Sequence, residues 1–512
     1  MSLPGPLAAR VDEALERLRA EDVVRRVWAR DHTVWSSDPA EIADRLGWLD
    51  VHDRMRGQVA ALRSFAARAA GDGLTRVVLC GMGGSTLAPE VLARVLGTEG
   101  DGPELEVLDT THPDHLHAVE RSLDLDRTLF VISSKSGTTL ETRCQLDRFW
   151  SQVGNGHRFV AVTDPGSPLE TVARERDFRE VFAGDPEVGG RYSALSAFGL
   201  VPGALLGLDL EALLDGAAEM ATACGPDVPP ADNPAVRLGA LIGSAALAGR
   251  DKLTLVVPED LAPLGPWIEQ LVAESTGKRG RGILPVAGEE VGSPDVYGGD
   301  RLFIGYVDGD ADWQVSSLDA AGHPIVRIEG ATSDARGLGR EFFRWELATA
   351  IAGWALQVNP FDQPDVQAAK DATQAILDEG AVEPEPFDDL DPLLNHLAPG
   401  DYLAIHAYLP PNDDMEHRLQ AARMRLRDRL RAATTVGFGP RFLHSTGQLH
   451  KGGPPNGVFV QVDDEPVEDA EIPGRPFTFG RLIQAQALGD LRALRAGGRR
   501  VARVHLSDLE SA

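Results

Sequence analysis

Arg76–Ser85 reads RVVLCGMGGS, and Thr128–Thr139 reads TLFVISSKSGTT. Each begins with an uninterrupted apolar run, the pattern of a strand covered on both faces. Each then turns through glycines and hydroxyls into a helical pattern, Thr86–Leu96 after the first and a helix through about Trp150 after the second. Leu105–Leu108 and Phe159–Thr163 are further strands. Strands alternating with helices of this length predict a parallel, doubly wound α/β unit.

The same rhythm returns after the Pro-rich stretch Gly225–Pro234. Leu238–Ala248, Trp267–Ser275 and Phe342–Val358 read as helices, and Lys252–Val257, Ile283–Val286, Leu302–Tyr306 and Pro324–Ile328 as strands. A third segment opens near Val382 on the linker VEPEPFDDLDP. It continues with the strand Tyr402–Leu409, the Arg-rich helix Asp413–Ala433, a Gly-rich segment over Gly437–Gly457, the strand Val458–Val462 and a last helix–strand pair. In the Arg-rich helix, Leu419, Ala422, Leu426 and Leu430 recur at helical spacing, so its charges read as a solvated face over a core stripe.

The 512 residues correspond to about three domains or two large ones. With 43% hydrophobic and 25% charged residues, the chain has the make-up of a globular protein. Its 50 basic and 78 acidic residues give a net charge of −28, against the basic face that nucleic acid demands. Any anionic substrate needs a local cluster of donors in such a field. Cys80, Cys144 and Cys224 are widely spaced and form no CxxC, which fits a reducing compartment with neither disulfides nor a zinc site. No apolar stretch reaches the roughly 18 residues of a membrane span, and the N-terminus lacks a signal-peptide core. A cytoplasmic protein is expected.

Several motifs carry chemistry. The glycines of Cys80–Ser85 suit either a tight structural turn or a phosphate site. A dinucleotide fingerprint would need glycine where Thr86 stands. Ser133–Thr139 packs five hydroxyls, Lys135 and Gly137 into seven positions. That density favours a phosphate cradle over a capping box joining Thr138 or Thr139 to Glu141 or Thr142. Val188–Ser193 (VGGRYS) presents Arg191 as an anion stabiliser or a surface ion-pair partner. Glu274 ends an apolar helix, surroundings that suit a general base, and Lys278, Arg279 and Arg281 follow as a basic island. NPFDQP at 359–364 leads to Lys370, and HSTGQLHKGG at 444–453 lies in a Gly-rich loop. His112, His115 and His117 lack the spacing of a metal site, so no metal is expected.

Taken together, GMGGS, SSKSGTT, VGGRYS, the Glu-Ser-x-Gly-Lys block and FDQPxVxxxK resemble, in order, the motifs of the phosphoglucose isomerase family. The resemblance spans about Arg76 to Lys370. It implies two sugar-isomerase (SIS) domains, each a three-layer α/β/α doubly wound parallel sheet, with an α/β extension after them. Residues 1–70 would form an N-terminal helical segment, 71–225 and 226–380 the two SIS domains, and 381–512 the extension. The resemblance further implies a glucose 6-phosphate/fructose 6-phosphate isomerase acting through a cis-enediol, without cofactor or metal. It implies a sugar phosphate as the small-molecule partner, no membrane and no nucleic acid. A homodimer with sites shared between subunits is also implied. By the same resemblance, Gly84, Ser85, Ser134, Lys135, Ser136, Thr139 and Gln363 bind the phosphate. Arg191 stabilises the enediolate, Glu274 is the base, and Lys370, the lysine of the last block, is catalytic with them. The family's ring-opening histidine normally precedes the FDQ block. Here the best match, His444, follows it, in surroundings similar to the C-terminal part of fused transaldolase–phosphoglucose isomerase proteins, and His450 competes for the role. A non-catalytic SIS sensor of sugar phosphates is the alternative, and a nicotinamide oxidoreductase a more distant one.

Overall fold

The computed structural model describes residues 3–98, 102–307, 311–379 and 385–512. Residues 380–384, which hold the junction expected at 380/381 and the first part of the Pro- and acid-rich linker, lie outside them. The chain builds three all-parallel sheets joined by helices. The first holds β1 (Arg76–Cys80), β2 (Glu104–Leu108), β3 (Thr128–Ser133), β4 (Phe159–Thr163) and β5 (Glu180–Ala183), in the order β2-β1-β3-β4-β5. The second holds β6 (Lys252–Val256), β7 (Leu284–Val286), β8 (Arg301–Val307) and β9 (Ile325–Glu329), in the order β7-β6-β8-β9. The third holds β10 (Tyr402–Tyr408), β11 (Ala433–Phe438), β12 (Gly457–Asp463) and β13 (Arg500–Val504), in the order β11-β10-β12-β13.

The C-terminal extension therefore repeats the winding of the first two sheets. In each, the strand that comes first in sequence lies second in space, so the chain changes direction between it and the third strand. In open α/β sheets the carboxyl ends of those two strands form a crevice for ligands. In the first sheet these strands are β1 and β3, and GMGGS and SSKSGTT are the turns that leave them.

Strand alternation explains the runs that announce the fold. Val77, Leu79, Leu129 and Val131 face a core shared with Leu253 and Ile304 of the second sheet. Val78, Cys80, Phe130 and Ile132 face the opposite way, into a separate core. Helices between Gly5 and Gly71 cover the shared core with Leu7, Leu18 and Trp48. The opposite core is closed by the Phe479–Ala496 helix, which inserts Phe479, Leu482 and Leu491, all fully buried. Burying each such side chain is worth about 1.5–3 kcal/mol. That helix thereby fixes the third unit against the first, which places His444.

Two strands depart from the sequence reading. β11 begins where the Arg-rich helix was expected to continue. Arg431 takes φ 53 and ends that helix after Leu430. β5 has four residues at the sheet's edge, none of them buried.

Candidate active site

Gly83 adopts φ +55, and a Cβ there would stand 2.7 Å from the His444 carbonyl oxygen. A Cβ on Gly84 would stand 2.0 Å from the Gly190 carbonyl oxygen. The glycine turn is therefore where the Gly190–Arg191 segment and the His444 segment close against β1. Ser85 sits in the same turn, 9% exposed.

Arg191 is no surface ion-pair partner. Its side chain is 4% exposed. It donates to the carbonyls of Pro360, Phe361 and Asp362 at 3.2–3.4 Å, and to Gln363 Oε1. The Asn359–Pro364 turn is thus a cage for the guanidinium, with Gln363 part of the cage. Neutral acceptors orient the charge without cancelling it. Glu274 Oε1 stands 3.3 Å from Arg191 Nη2. Asp362 is drawn away by Lys278, 2.7 Å distant. Burial first, and the Arg191 charge second, pull the Lys278 ammonium down to about 7 against the opposing pull of Asp362.

Glu274 lies one turn after Gln270 on the Leu264–Thr276 helix. Gln270 Nε2 donates to Glu274 Oε2 at 3.2 Å and to the His444 carbonyl at 2.8 Å. The expected apolar surroundings are therefore incomplete: two donors hold the carboxylate. Gln270 escaped the sequence reading, although its i, i+4 spacing from Glu274 is a detectable signal.

The second turn bonds to itself. Ser134 Oγ lies 3.0 Å from Thr139 Oγ1 and accepts from the Gly137 N–H at 3.2 Å. Ser136 Oγ lies 2.9 Å from Thr138 Oγ1. Thr139 precedes the Leu140–Val153 helix without a side-chain cap bond, so the capping box does not form. Lys135 points elsewhere: its ammonium bonds Asp164 at 2.6 Å and the Asp185 carbonyl at 3.0 Å.

Ser136, Thr138 and Thr139 open onto a cavity of about 360 Å3, which Glu141, Lys370, His444, Lys451 and Gln486 also line. Lys370 is exposed. Lys451 is held by Asp490 at 2.6 Å. Arg279 and Arg281 are exposed, and Arg281 bonds the Leu356 carbonyl. The expected convergence of basic side chains is thus narrower than the sequence suggested.

His444 joins the two halves of the site. Its carbonyl receives Gln270, and its Nε2 lies 3.0 Å from Glu141 Oε1. Burial works against the Glu141 charge, yet His444, with Lys370 at longer range, holds the carboxyl below its ordinary range. Glu141 is the second residue of the candidate site that the sequence did not single out. His450 is enclosed instead: 2% exposed, its Nδ1 is 3.0 Å from Tyr402 Oη. Burial pushes its imidazole well below the ordinary histidine range.

A larger cleft of about 1200 Å3 lies at the ends of β6 and β9. Among the described residues its lining includes Glu259, Asp260, Glu289 and Glu290 and no basic side chain.

No helix of the described residues is long and apolar enough to cross a membrane. A family model, phosphoglucose isomerase, matches residues 23–283. A glucose-6-phosphate isomerase of Rubrobacter xylanophilus is 31% identical over 379 residues, covering 63% of this chain and 87% of the relative. A probable glucose-6-phosphate isomerase of Haloarcula marismortui is 32% identical, covering 59% of this chain and 78% of the relative. Among solved structures, the glucose-6-phosphate isomerase of Chlamydia trachomatis superposes with a TM-score of 0.55 at 25% identity, covering 71% of this chain and 79% of that one. The identity extends over most of the Rubrobacter protein's own length and the family match takes in the first four motifs; the chain belongs to the phosphoglucose isomerase family.

Proposed function

We propose that this chain interconverts glucose 6-phosphate and fructose 6-phosphate. The observation that carries the reading is the meeting, around His444, of a paired arginine and carboxylate with a hydroxyl-rich turn. Aldose–ketose exchange moves one proton between C2 and C1. Glu274 takes and returns it, because both positions lie on one face of a cis-enediol. Arg191 faces the oxygen that gains charge, pre-oriented by its cage so that no reorganisation is needed as charge develops. His444 carries the ring-opening proton, with Glu141 fixing its ring and balancing its charge. Ser134, Ser136 and Thr139 hold the phosphate through hydroxyls and the amides of the helix start. Gly84 and Ser85 contribute from the first turn. Lys135 contributes its backbone rather than its ammonium, and Gln363 acts through Arg191.

A coupled assay with fructose 6-phosphate and no added cofactor tests the reading. Turnover excludes the sensor alternative; binding without turnover would establish it. Lys370 is an exposed cation lining the cavity. Lys370→Met is expected to raise KM about tenfold or more, the size of a lost hydrogen bond to a charged group, with a smaller change in kcat. An unchanged KM would remove Lys370 from the phosphate site.

We also propose a cytoplasmic homodimer, on the family resemblance. The resemblance implies a site shared between subunits, so specific activity is expected to fall on dilution through dimer dissociation, followed by sedimentation alongside the assay. Activity that holds constant through dissociation would show that one copy suffices.

A further inference from the structure

Glu141 touches more than His444. The Phe479–Ala496 helix of the third unit brings Gln486 to the same carboxylate, and Gln486 Nε2 donates to Glu141 Oε1 at 2.8 Å. The other end of that amide is also committed: Thr111 Oγ1 donates to Gln486 Oε1 at 2.6 Å. Thr111, Gln486 and Glu141 are all buried. A side-chain amide can turn end for end, exchanging donor and acceptor. A hydroxyl can donate or accept, so the acceptor-only carboxylate of Glu141 sets the orientation: the NH2 faces Glu141, and Oε1 is left to accept from Thr111. A flipped amide would set its oxygen against a carboxylate in a buried site, where an unpaired polar contact is costly.

We infer that Gln486 is a positioning residue for the proposed ring-opening step: anchored through its oxygen by Thr111, it holds Glu141 ionised and aimed at His444. The inference rests on the ring-opening role proposed for His444. It also gives the third unit a function besides delivering that histidine. One helix, Phe479–Ala496, packs into the first unit's core and presents the donor that orients the first unit's carboxylate.

The sign of the expected pH effect follows from the bond. An N–H donor stabilises the carboxylate, so it favours the proton-free form of the Glu141–His444 pair. Without the donor the pair keeps a proton to higher pH. The charged and titratable groups around Glu141 are His444 from the Arg441–His444 turn, Lys370 from the Gln367–Asp378 helix, and Cys144 one turn along its own helix. Lys451 lines the same cavity, held by Asp490. The Cys144 thiol is pushed up to about 12 by burial, so it stays protonated across the relevant range. None of these is altered by a change at Gln486.

Three variants test the inference in the full-length chain. Gln486→Met keeps the volume and removes both hydrogen bonds. Thr111→Val leaves the amide facing Glu141 but removes the hydroxyl that anchors its oxygen, and serves if Gln486→Met does not fold. Gln486→Glu restores a donor only while its new carboxyl is protonated. Histidine-labelled protein, with the His444 signal assigned from a His444→Gln control, reports the pair's titration by NMR without any turnover. Gln486→Met is expected to move the midpoint up by about one pH unit. It should also lower kcat on cyclic glucose 6-phosphate about tenfold with KM unchanged. Thr111→Val should move the midpoint the same way by less, and Gln486→Glu should recover activity only towards low pH. A structural loosening would lower the rate without moving the midpoint. Folded Gln486→Met with the wild-type midpoint and wild-type kcat would overturn the inference. If wild-type protein does not isomerise the sugar but the midpoint still moves, the proposed activity falls while the orientation of Glu141 by Gln486 stands.

Discussion

Glu274→Gln is expected to lower kcat for glucose 6-phosphate by about 10²–10⁴-fold, the usual contribution of a positioned acid–base group. The substitution keeps the size of the side chain and its place on the Leu264–Thr276 helix. An amide oxygen still accepts from Arg191, which Glu274 Oε1 meets at 3.3 Å in the native chain. The glutamine cannot take a proton from C2. KM should change little, because the proposed phosphate site is the other turn. Arg191 loses a charged partner, but the carbonyls of Pro360, Phe361 and Asp362 still hold it, so the melting temperature should fall only modestly. Steady-state rates in both directions, with deuterium exchange at C2 in heavy water, check the result. Near wild-type turnover with undiminished exchange would mean that another group moves the proton.

The global charge of −28 and the proposed anionic substrate are reconciled by local pairing. Lys135 is taken by Asp164, Lys278 by Asp362 and Lys451 by Asp490. These pairs make little net field, which leaves the work to directed donors. The hydroxyl turn, the caged guanidinium and exposed Lys370 act at short range, where an acidic surface beyond a Debye length of about 8 Å is screened. A net acidic chain and attraction of a small phosphate ester therefore do not conflict.

The parts legible in the sequence were those encoded locally. β1 and β3 announce themselves because both of their faces are buried, and the turns after them because glycine and hydroxyl density has few other uses. β11 was hidden because Ala432 and Ala433 extend a helical pattern, and only the left-handed turn at Arg431 breaks it. β5 is too short and too exposed to leave a pattern. Glu141 was read only as a helix-start acid, since its partners His444 and Gln486 stand 303 and 345 residues further along. Composition could not show that the extension repeats the winding of the other two sheets, because strand order is a property of pairing. Lys135 misled in the opposite way: its motif promised a phosphate ligand, while Asp164 and the Asp185 carbonyl claim its ammonium.

The two histidines of the 444–453 loop should separate cleanly. His444→Ala is expected to lower kcat on the cyclic sugar by about 10²–10⁴-fold, since it removes the proton carrier for ring opening. The open-chain fraction of the sugar bypasses that step, so a floor of activity remains, still dependent on Glu274. The protein should stay folded, because the side chain of His444 is 20% exposed and the segment is anchored through its backbone carbonyl to Gln270. His450→Ala should do the reverse. That imidazole packs 5.1 Å from the Phe459 ring and 4.9 Å from that of His406, enclosed beneath the third sheet. Its removal leaves a cavity and an unpaired Tyr402 hydroxyl, destabilising by about 2–5 kcal/mol, with kcat per folded molecule nearly unchanged. Activity normalised to the folded fraction, measured beside thermal unfolding, distinguishes the two. A folded, fully active His444→Ala beside a folded, inactive His450→Ala would transfer the ring-opening role to His450. The enclosure of His450 argues against that transfer: burial keeps its imidazole neutral, whereas a proton carrier must hold both protonation states where the sugar's ring oxygen can reach it.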